Sequence, residues 1–293
     1  MGRALAIAFV VCALSAHEAW AQSPRAGGPA PGDSGGESRV GAEANLAGNL
    51  ARGFVDRDLI AARGILQGWT GPWGLYVQPY WLYGRVGTAA GKITTDNEIY
   101  VRTGLFRQIR ETPLFIYAVS AFDRSVRRKI DYRELAGGGV GVDLLQQQGI
   151  SLLTSAGVLG EVANFKDRTL EDPDGPGTFE TDKRRTVMRW SIRIYGRYRI
   201  GEGKLSLTHD LIVIPSFTDP RDDYRVLFFG AIDAPIAKGF SVRVQADATY
   251  EGLIVTGTKH GDLAITFGVT YKNEWTTRKQ TPPTPAINPS RDR

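Results

Sequence analysis

The chain has 293 residues, ample for a sizeable core, with 42% hydrophobic and 23% charged residues and a formal charge of +5. Its one cysteine, Cys12, lies in the first few residues, so neither disulfides nor thiolate metal sites are expected in the body of the chain. Arg278, Lys279, Arg291 and Arg293 face the single acid Asp292 after Trp275, so the basic pI reflects a tail and not a nucleic-acid surface.

Residues 1–21 read as a secretory signal peptide. Met1-Gly2-Arg3 is a short basic start, Ala4–Leu14 an apolar run, and Ala19-Trp20-Ala21 a cleavage site. Val10 and Val11 before Cys12 lack the small residue of a lipoprotein signal. The start of the segment that follows, Gln22–Arg39, is rich in Gly, Pro and Ser and reads as a disordered linker. Asn45–Leu66 sets Leu46, Leu50, Val55, Leu59, Ile60 and Ile65 at roughly helical spacing, which leaves room for a short amphipathic helix weakened by glycines. Residues 22–71 are therefore expected to be a flexible segment.

From Trp73 the pattern changes to β-rich or alternating runs, ten in all, near residues 73–86, 97–109, 113–124, 130–145, 150–165, 185–200, 204–217, 223–234, 240–252 and 262–275. Thr186–Ile200 is the most telling. Met188, Trp190, Ile192, Ile194, Tyr198 and Ile200 take one face, with Arg189, Arg193, Arg197 and Arg199 on the other. Phe240–Glu251 repeats the separation, with Arg243, Asp247 and Glu251 on its polar face.

A soluble barrel alternates as well, so the question is which face lies inside. The export signal, strands of roughly 12–15 residues against the 9–11 a tilted membrane strand needs, and short turns alternating with long connections all favour apolar faces turned to lipid. So do aromatics near many strand ends (Trp73, Tyr83, Tyr132, Tyr198, Tyr224, Tyr250, Tyr271 and Trp275). The expected fold is all-β, a closed antiparallel transmembrane β-barrel of about ten strands over residues 72–275, followed by a disordered basic tail over 276–293.

Two segments carry a family resemblance. Ile99–Leu145 contains Arg128-Lys129-Ile130-Asp131-Tyr132-Arg133 and the glycine-rich run Gly137–Gly141. His209–Tyr250 contains Pro215 and Asp223-Tyr224-Arg225, and the likeness continues through Lys259-His260-Gly261-Asp262 into the closing strand. Over roughly residues 97–275 the chain resembles the bacterial outer-membrane barrels of domain-of-unknown-function 481, the salt-induced outer-membrane protein type. The resemblance implies an outer-membrane barrel, without an agreed activity, and a link to salt or osmotic stress. One departure is that barrels of this kind usually end on an aromatic, whereas Trp275 is followed by a tail.

On this reading Arg189, Arg193, Arg197, Arg199 and Arg243 face the lumen. They can form a packed network with Asp143, Glu161, Asp210, Asp233, Asp247 and Glu251, or attract anions into a pore. A narrow barrel favours the network, because unpaired charges are costly to bury. Asp222, Asp223, His260 and Asp262 would sit at the outer rim, where a water-activating hydrolase is the functional alternative to ordinary loop composition. No metal-ligand spacing, nucleophile triad or phosphate loop is present in the sequence. The expected protein is a monomeric, non-enzymatic, structural or envelope-associated barrel of the bacterial outer membrane. It would need no cofactor, contact lipid and, during biogenesis, the barrel assembly machinery, and bind no nucleic acid. A narrow anion or small-solute channel is the alternative reading, and a rim hydrolase a third.

Overall fold

A computed structural model of the chain describes residues 38–51, 57–88, 91–109, 112–147, 149–171, 177–201 and 204–277. The expected signal peptide, most of the expected disordered linker Gln22–Arg39 and the expected basic tail from residue 278 lie outside the described residues.

Twelve strands close into one antiparallel barrel. They are β1 (Ser38–Ala51), β2 (Arg57–Thr70), β3 (Trp73–Thr88), β4 (Gly91–Gln108), β5 (Leu114–Ser125), β6 (Ile130–Gln147), β7 (Ile150–Phe165), β10 (Arg184–Ile200), β11 (Leu205–Pro215), β12 (Tyr224–Ala237), β13 (Phe240–Glu251) and β14 (Gly261–Thr277). The short strands β8 (Thr169–Glu171) and β9 (Thr178–Glu180) form a separate hairpin between β7 and β10. Each barrel strand pairs with its neighbours in sequence, and β1 against β14 closes the cylinder, from Ser38↔Thr277 to Gly48↔Phe267.

The expected ten strands are therefore twelve. The two additional strands come from the segment read as flexible, with Asn45–Leu66 at helical spacing. That stretch is a β-hairpin, with Ser38↔Thr70 through Ala51↔Arg57 in register. Its true period is two. Val40 and Leu46 are exposed on the outside, and Asn45 and Ala47 are buried inside. Leu59 and Ala61 also face inward, so apolar residues occupy both faces of β2 and imitate a helical stripe. Asn45 donates through Nδ2 to Thr270 Oγ1 at 3.0 Å, which ties the first strand to the last.

The expected alternation of short turns and long connections is not strict. Between β3 and β4 the connection at the loop end is short, since the two strands pair through Arg85↔Thr94 to Thr88↔Gly91, with a register shift between Gly84 and Arg85. At the other end the hairpins are tight, as at Gly71-Pro72 and Lys238-Gly239, with positive φ at Gly71 and Gly239. That end is called the turn end below. The loop end carries the β8–β9 segment, the 216–223 connection and the 252–260 connection.

Outside, Val40, Leu66, Leu75, Val140, Met188, Trp190, Ile192, Leu263 and Phe267 belong to a wide belt of exposed apolar side chains. Aromatics border the belt. Tyr224 stacks on Tyr250 at 5.6 Å and Tyr250 on His260 at 5.7 Å toward the loop end, and Phe240 lies 4.9 Å from Tyr271 at the turn end. His209 is on the outer face too, close to the turn end. Its ring stacks on Tyr198 and its Nε2 lies 3.1 Å from the Tyr198 hydroxyl, in the space left by Gly196. Charged groups are inside and oil is outside, so a bilayer is the medium that matches this surface, and the closed ladder leaves no strand edge in hydrocarbon.

Candidate functional site: the charge-paired lumen

Every second residue of each strand enters the lumen, and many of these are charged. Twelve strands lie between the eight whose interior side chains just fill and the sixteen or more that hold an open channel. What fills this lumen is therefore decided by side-chain size and pairing.

The predicted row on β10 points inward. Arg189, only 2% exposed, reaches Glu161 on β7 with Nε at 3.0 Å and Nη2 at 3.2 Å, and Nη2 also lies 2.8 Å from Asp223 Oδ1. Arg193 makes a two-pronged pair with Asp210 on β11, at 2.8 and 3.2 Å, and lies over the Tyr195 ring. Arg197 is half-buried and Arg199 exposed near the turn end. Asp143, on β6, is buried on the lumen side.

Arg243, on β13, is fully buried. It pairs with Asp233 on β12 at 2.7 Å and with Glu43 on β1 at 2.7 Å, and Lys272 on β14 lies 3.3 Å from Glu43 and 3.5 Å from Asp233. Those four residues close the turn end. Midway, Arg63 on β2 reaches Asp247 on β13 at 2.7 Å and covers the Phe229 ring at 3.8 Å.

At the loop end the pairs join into one network. Arg133 holds Glu251 by two hydrogen bonds of 2.8 and 2.9 Å across the lumen. Arg128, in the β5–β6 turn, bonds Glu251 and Asp123, each at 2.9 Å. Arg127 reaches Asp96 at 3.4 Å and Glu98 at 3.1 Å and pairs with Asp262, while Arg225 pairs with Glu161. Burial works against the charge of Arg128, but the carboxylates of Asp123, Glu98 and Glu251 outweigh it and hold its pKa above the ordinary arginine value.

The four rim residues do not converge on one centre. Asp223 is held by Arg189 and by Arg185, the latter at 2.8 Å; Asp262 is held by Arg127. His260 sits with Nδ1 2.8 Å from the Glu251 carbonyl oxygen, and the backbone N–H of Asp222 donates to Asp219 at 3.3 Å. Among the described residues no group of three or more His, Cys, Asp or Glu could hold a metal ion.

Sequence reasoning missed Glu43, Arg63, Glu98, Asp123, Arg127, Arg128, Arg133 and Arg225. Glu43 and Arg63 were lost with β1 and β2. The alternation placing Glu98, Asp123 and Arg133 inward was present in the sequence, but their partners lie on strands far apart in the chain.

Cavities interrupt the network. One of about 210 Å³ lies in the lumen among Tyr76, Tyr80, Tyr100, Phe106, Phe115 and Phe229. Another, of about 440 Å³, lies at the loop end under residues 253–262. A cap covers it. Leu170 of β8 bridges to Val255, Glu171 N donates to Ile254 O at 3.0 Å, and Leu170, Val255, Ile130, Ala163 and Phe165 form a buried cluster.

Among solved structures, the NanC porin has a TM-score of 0.45 and 11% identity over 78% of this chain and 98% of its own. The translocator domain of autotransporter NalP from Neisseria meningitidis has 0.39 and 11%, over 84% and 90%. An outer-membrane channel from Pseudomonas putida F1 has 0.39 and 13%, over 88% and 100%. At such low similarity these likenesses say nothing about what this barrel does. No curated protein matches the chain. The family model described as "Protein of unknown function, DUF481" matches residues 44–272, nearly the whole barrel from within β1 to within β14, and the chain belongs to that family.

Proposed function

We propose that this chain is a monomeric barrel of the bacterial outer membrane, exported by its N-terminal signal, with a structural or envelope-associated role and a lumen closed to steady ion flow. The observation that carries the reading is the burial of paired charges at successive depths. Arg243 with Asp233, Arg193 with Asp210, and Arg189 with Glu161 are each less than a tenth exposed. In a water-filled pore these groups would be wet; here each is held by a partner inside the sheet. The apolar belt supports lipid as the contact surface. The barrel assembly machinery is the expected partner in biogenesis, and no cofactor enters the reading.

Planar-bilayer recording of the refolded protein tests this. Steady conductance is expected to be absent. A reproducible anion-selective current lost in Arg193→Glu and Arg197→Glu would overturn it in favour of the channel reading, which draws support from the two cavities. A rim hydrolase would need Asp223 and His260 free to act on water, whereas both are engaged. Replacing either is expected to leave any measured hydrolysis unchanged. A salt-linked role, implied by the family resemblance, would act through exposed pairs such as Lys92–Asp58, because buried pairs are screened little by salt.

A further inference from the structure

The lumen chamber of about 210 Å³ has a wall built largely of rings and aliphatic groups. On facing positions of neighbouring strands, Phe106 lies against Gly74, Tyr76 against Gly104 and Phe115 against Gly141. A Cβ on any of these glycines would overlap the facing ring, so glycine lets each ring cross onto the next strand and lie along the wall. An apolar cavity of about 150 Å³ is enough to admit benzene. This one is larger and takes a single ring with a substituent.

Charge does not select what enters. Arg63 is held by Asp247, Arg127 by Glu98 and Asp262, Arg128 by Asp123 and Glu251, Arg193 by Asp210 and Arg225 by Glu161. Arg102 lies over the Tyr100 ring at 5.0 Å. An ion would have to break one of these pairs or enter without a counter-charge, so the wall discriminates against it. One neutral group stands apart. Gln78, on β3, lines the chamber and is only 4% exposed, and its Oε1 has no hydrogen-bond partner among the described residues. A buried acceptor left without a donor is costly, and a ligand that supplies one recovers that cost.

We propose that this chamber binds a small neutral molecule, a single aromatic ring carrying one hydroxyl, with the hydroxyl on the Gln78 carboxamide. The tyrosine and phenylalanine rings suit the body of the ligand. A hydroxyl both donates and accepts, so it serves whichever end of the carboxamide meets it. The loop-end cavity is the vestibule. Arg127, Arg128 and Asp262 line both spaces, so the Arg127–Asp262 pair, each side chain 29% exposed, is the partition a ligand crosses. Binding in a closed chamber requires no through-conduction, so the proposal stands apart from the closed-lumen reading, and bilayer recording tests that one separately.

The experiment is calorimetric titration of the full-length barrel in lipid nanodiscs, against empty nanodiscs, with phenol, toluene and benzoate. One saturable phenol site is expected, with toluene and benzoate at least tenfold weaker. Gln78→Leu keeps an apolar side chain in place but removes the carboxamide. Phenol affinity is expected to fall to that of toluene while toluene affinity does not fall, a difference that a general loosening of the barrel would not produce. If that variant does not fold, the wild type alone decides: phenol should raise the thermal unfolding midpoint, and benzoate at the same concentration should not. No saturable phenol heat, toluene or benzoate bound as tightly as phenol, or undiminished phenol affinity in a folded Gln78→Leu barrel would each overturn the proposal.

Discussion

Replacing Arg193 by leucine puts the packed lumen under direct strain. The guanidinium gives Asp210 two hydrogen bonds, at 2.8 and 3.2 Å, and Asp210 is only 1% exposed. Hydrogen bonds to charged groups contribute roughly 1.5–3 kcal/mol each, and removing one partner of a buried pair costs about 3–5 kcal/mol because the other charge stays desolvated. Arg193→Leu is therefore expected to lower unfolding stability by about 3–5 kcal/mol. The double change Arg193→Leu with Asp210→Leu removes both charges, and should recover most of that loss or exceed the wild type, since an apolar pair of similar volume is often neutral or better. Lys92–Asp58 provides the contrast. Its lysine is 45% exposed, and Lys92→Ala is expected to cost at most about 1 kcal/mol. Urea unfolding in lipid vesicles, followed by tryptophan fluorescence, measures all three. If Arg193→Leu costs no more than Lys92→Ala, water reaches Asp210 and the closed-lumen argument fails.

Other perturbations probe other parts of the barrel. Deleting residues 38–70 removes β1 and β2 and leaves edges on β3 and β14, so no heat-modifiable band should form; a folded ten-stranded product would contradict the twelve-stranded closure. Leu46→Arg sets a charge on the exposed outer face of β1, and a loss of up to about 2–4 kcal/mol in vesicle unfolding is expected if that face meets hydrocarbon. Leu170→Asp puts a charge into the cluster with Val255 and Ile130 and should release the cap, seen as new protease cleavage within 166–183 on intact cells. Cleavage only after the envelope is permeabilised would place the loop end on the other side. Gly104→Val drives a side chain into the Tyr76 ring and should cost about 1–3 kcal/mol of unfolding stability, without loss of the β-rich circular dichroism.

The strand β10 was legible because large apolar residues on one face, broken only by Gly196, alternate with Arg189, Arg193, Arg197 and Arg199 on the other, and the structure places the two faces where alternation predicts. The hairpin β1–β2 was not. Its outward positions include Ala42, Ala44, Gly48, Ala62 and Gly64, too small to mark a face, while Leu59 and Ala61 put apolar groups inside. The acids named as partners lay on the correct face, but which acid meets which arginine depends on register. Arg189 is opposite Leu159 and reaches Glu161 diagonally; Arg193 is opposite Ile212 and reaches Asp210 diagonally; Arg243 is directly opposite Asp233. Arg133 finds Glu251 across the lumen, a contact between strands that do not pair at all. No local pattern encodes such a meeting.

Two opposing demands then divide the lumen. A guanidinium is long and cannot be left unpaired in low dielectric, so positions carrying Arg draw carboxylates toward the axis and fill it, as Arg243 does at the turn end and Arg133 and Arg128 do at the loop end. An aromatic ring facing glycine has the opposite effect, since it gains contact by lying along the wall and leaves the axis empty. The ion pairs Arg243–Asp233 and Arg133–Glu251 thus stand at the two ends, while the Phe106–Gly74, Tyr76–Gly104 and Phe115–Gly141 positions surround the space between them. A barrel of this width need be neither a plug nor a pore. Exchanging arginine–acid pairs for ring–glycine pairs along its strands shifts the balance between solid and hollow, and this chain sets its ring–glycine positions between two charged ends.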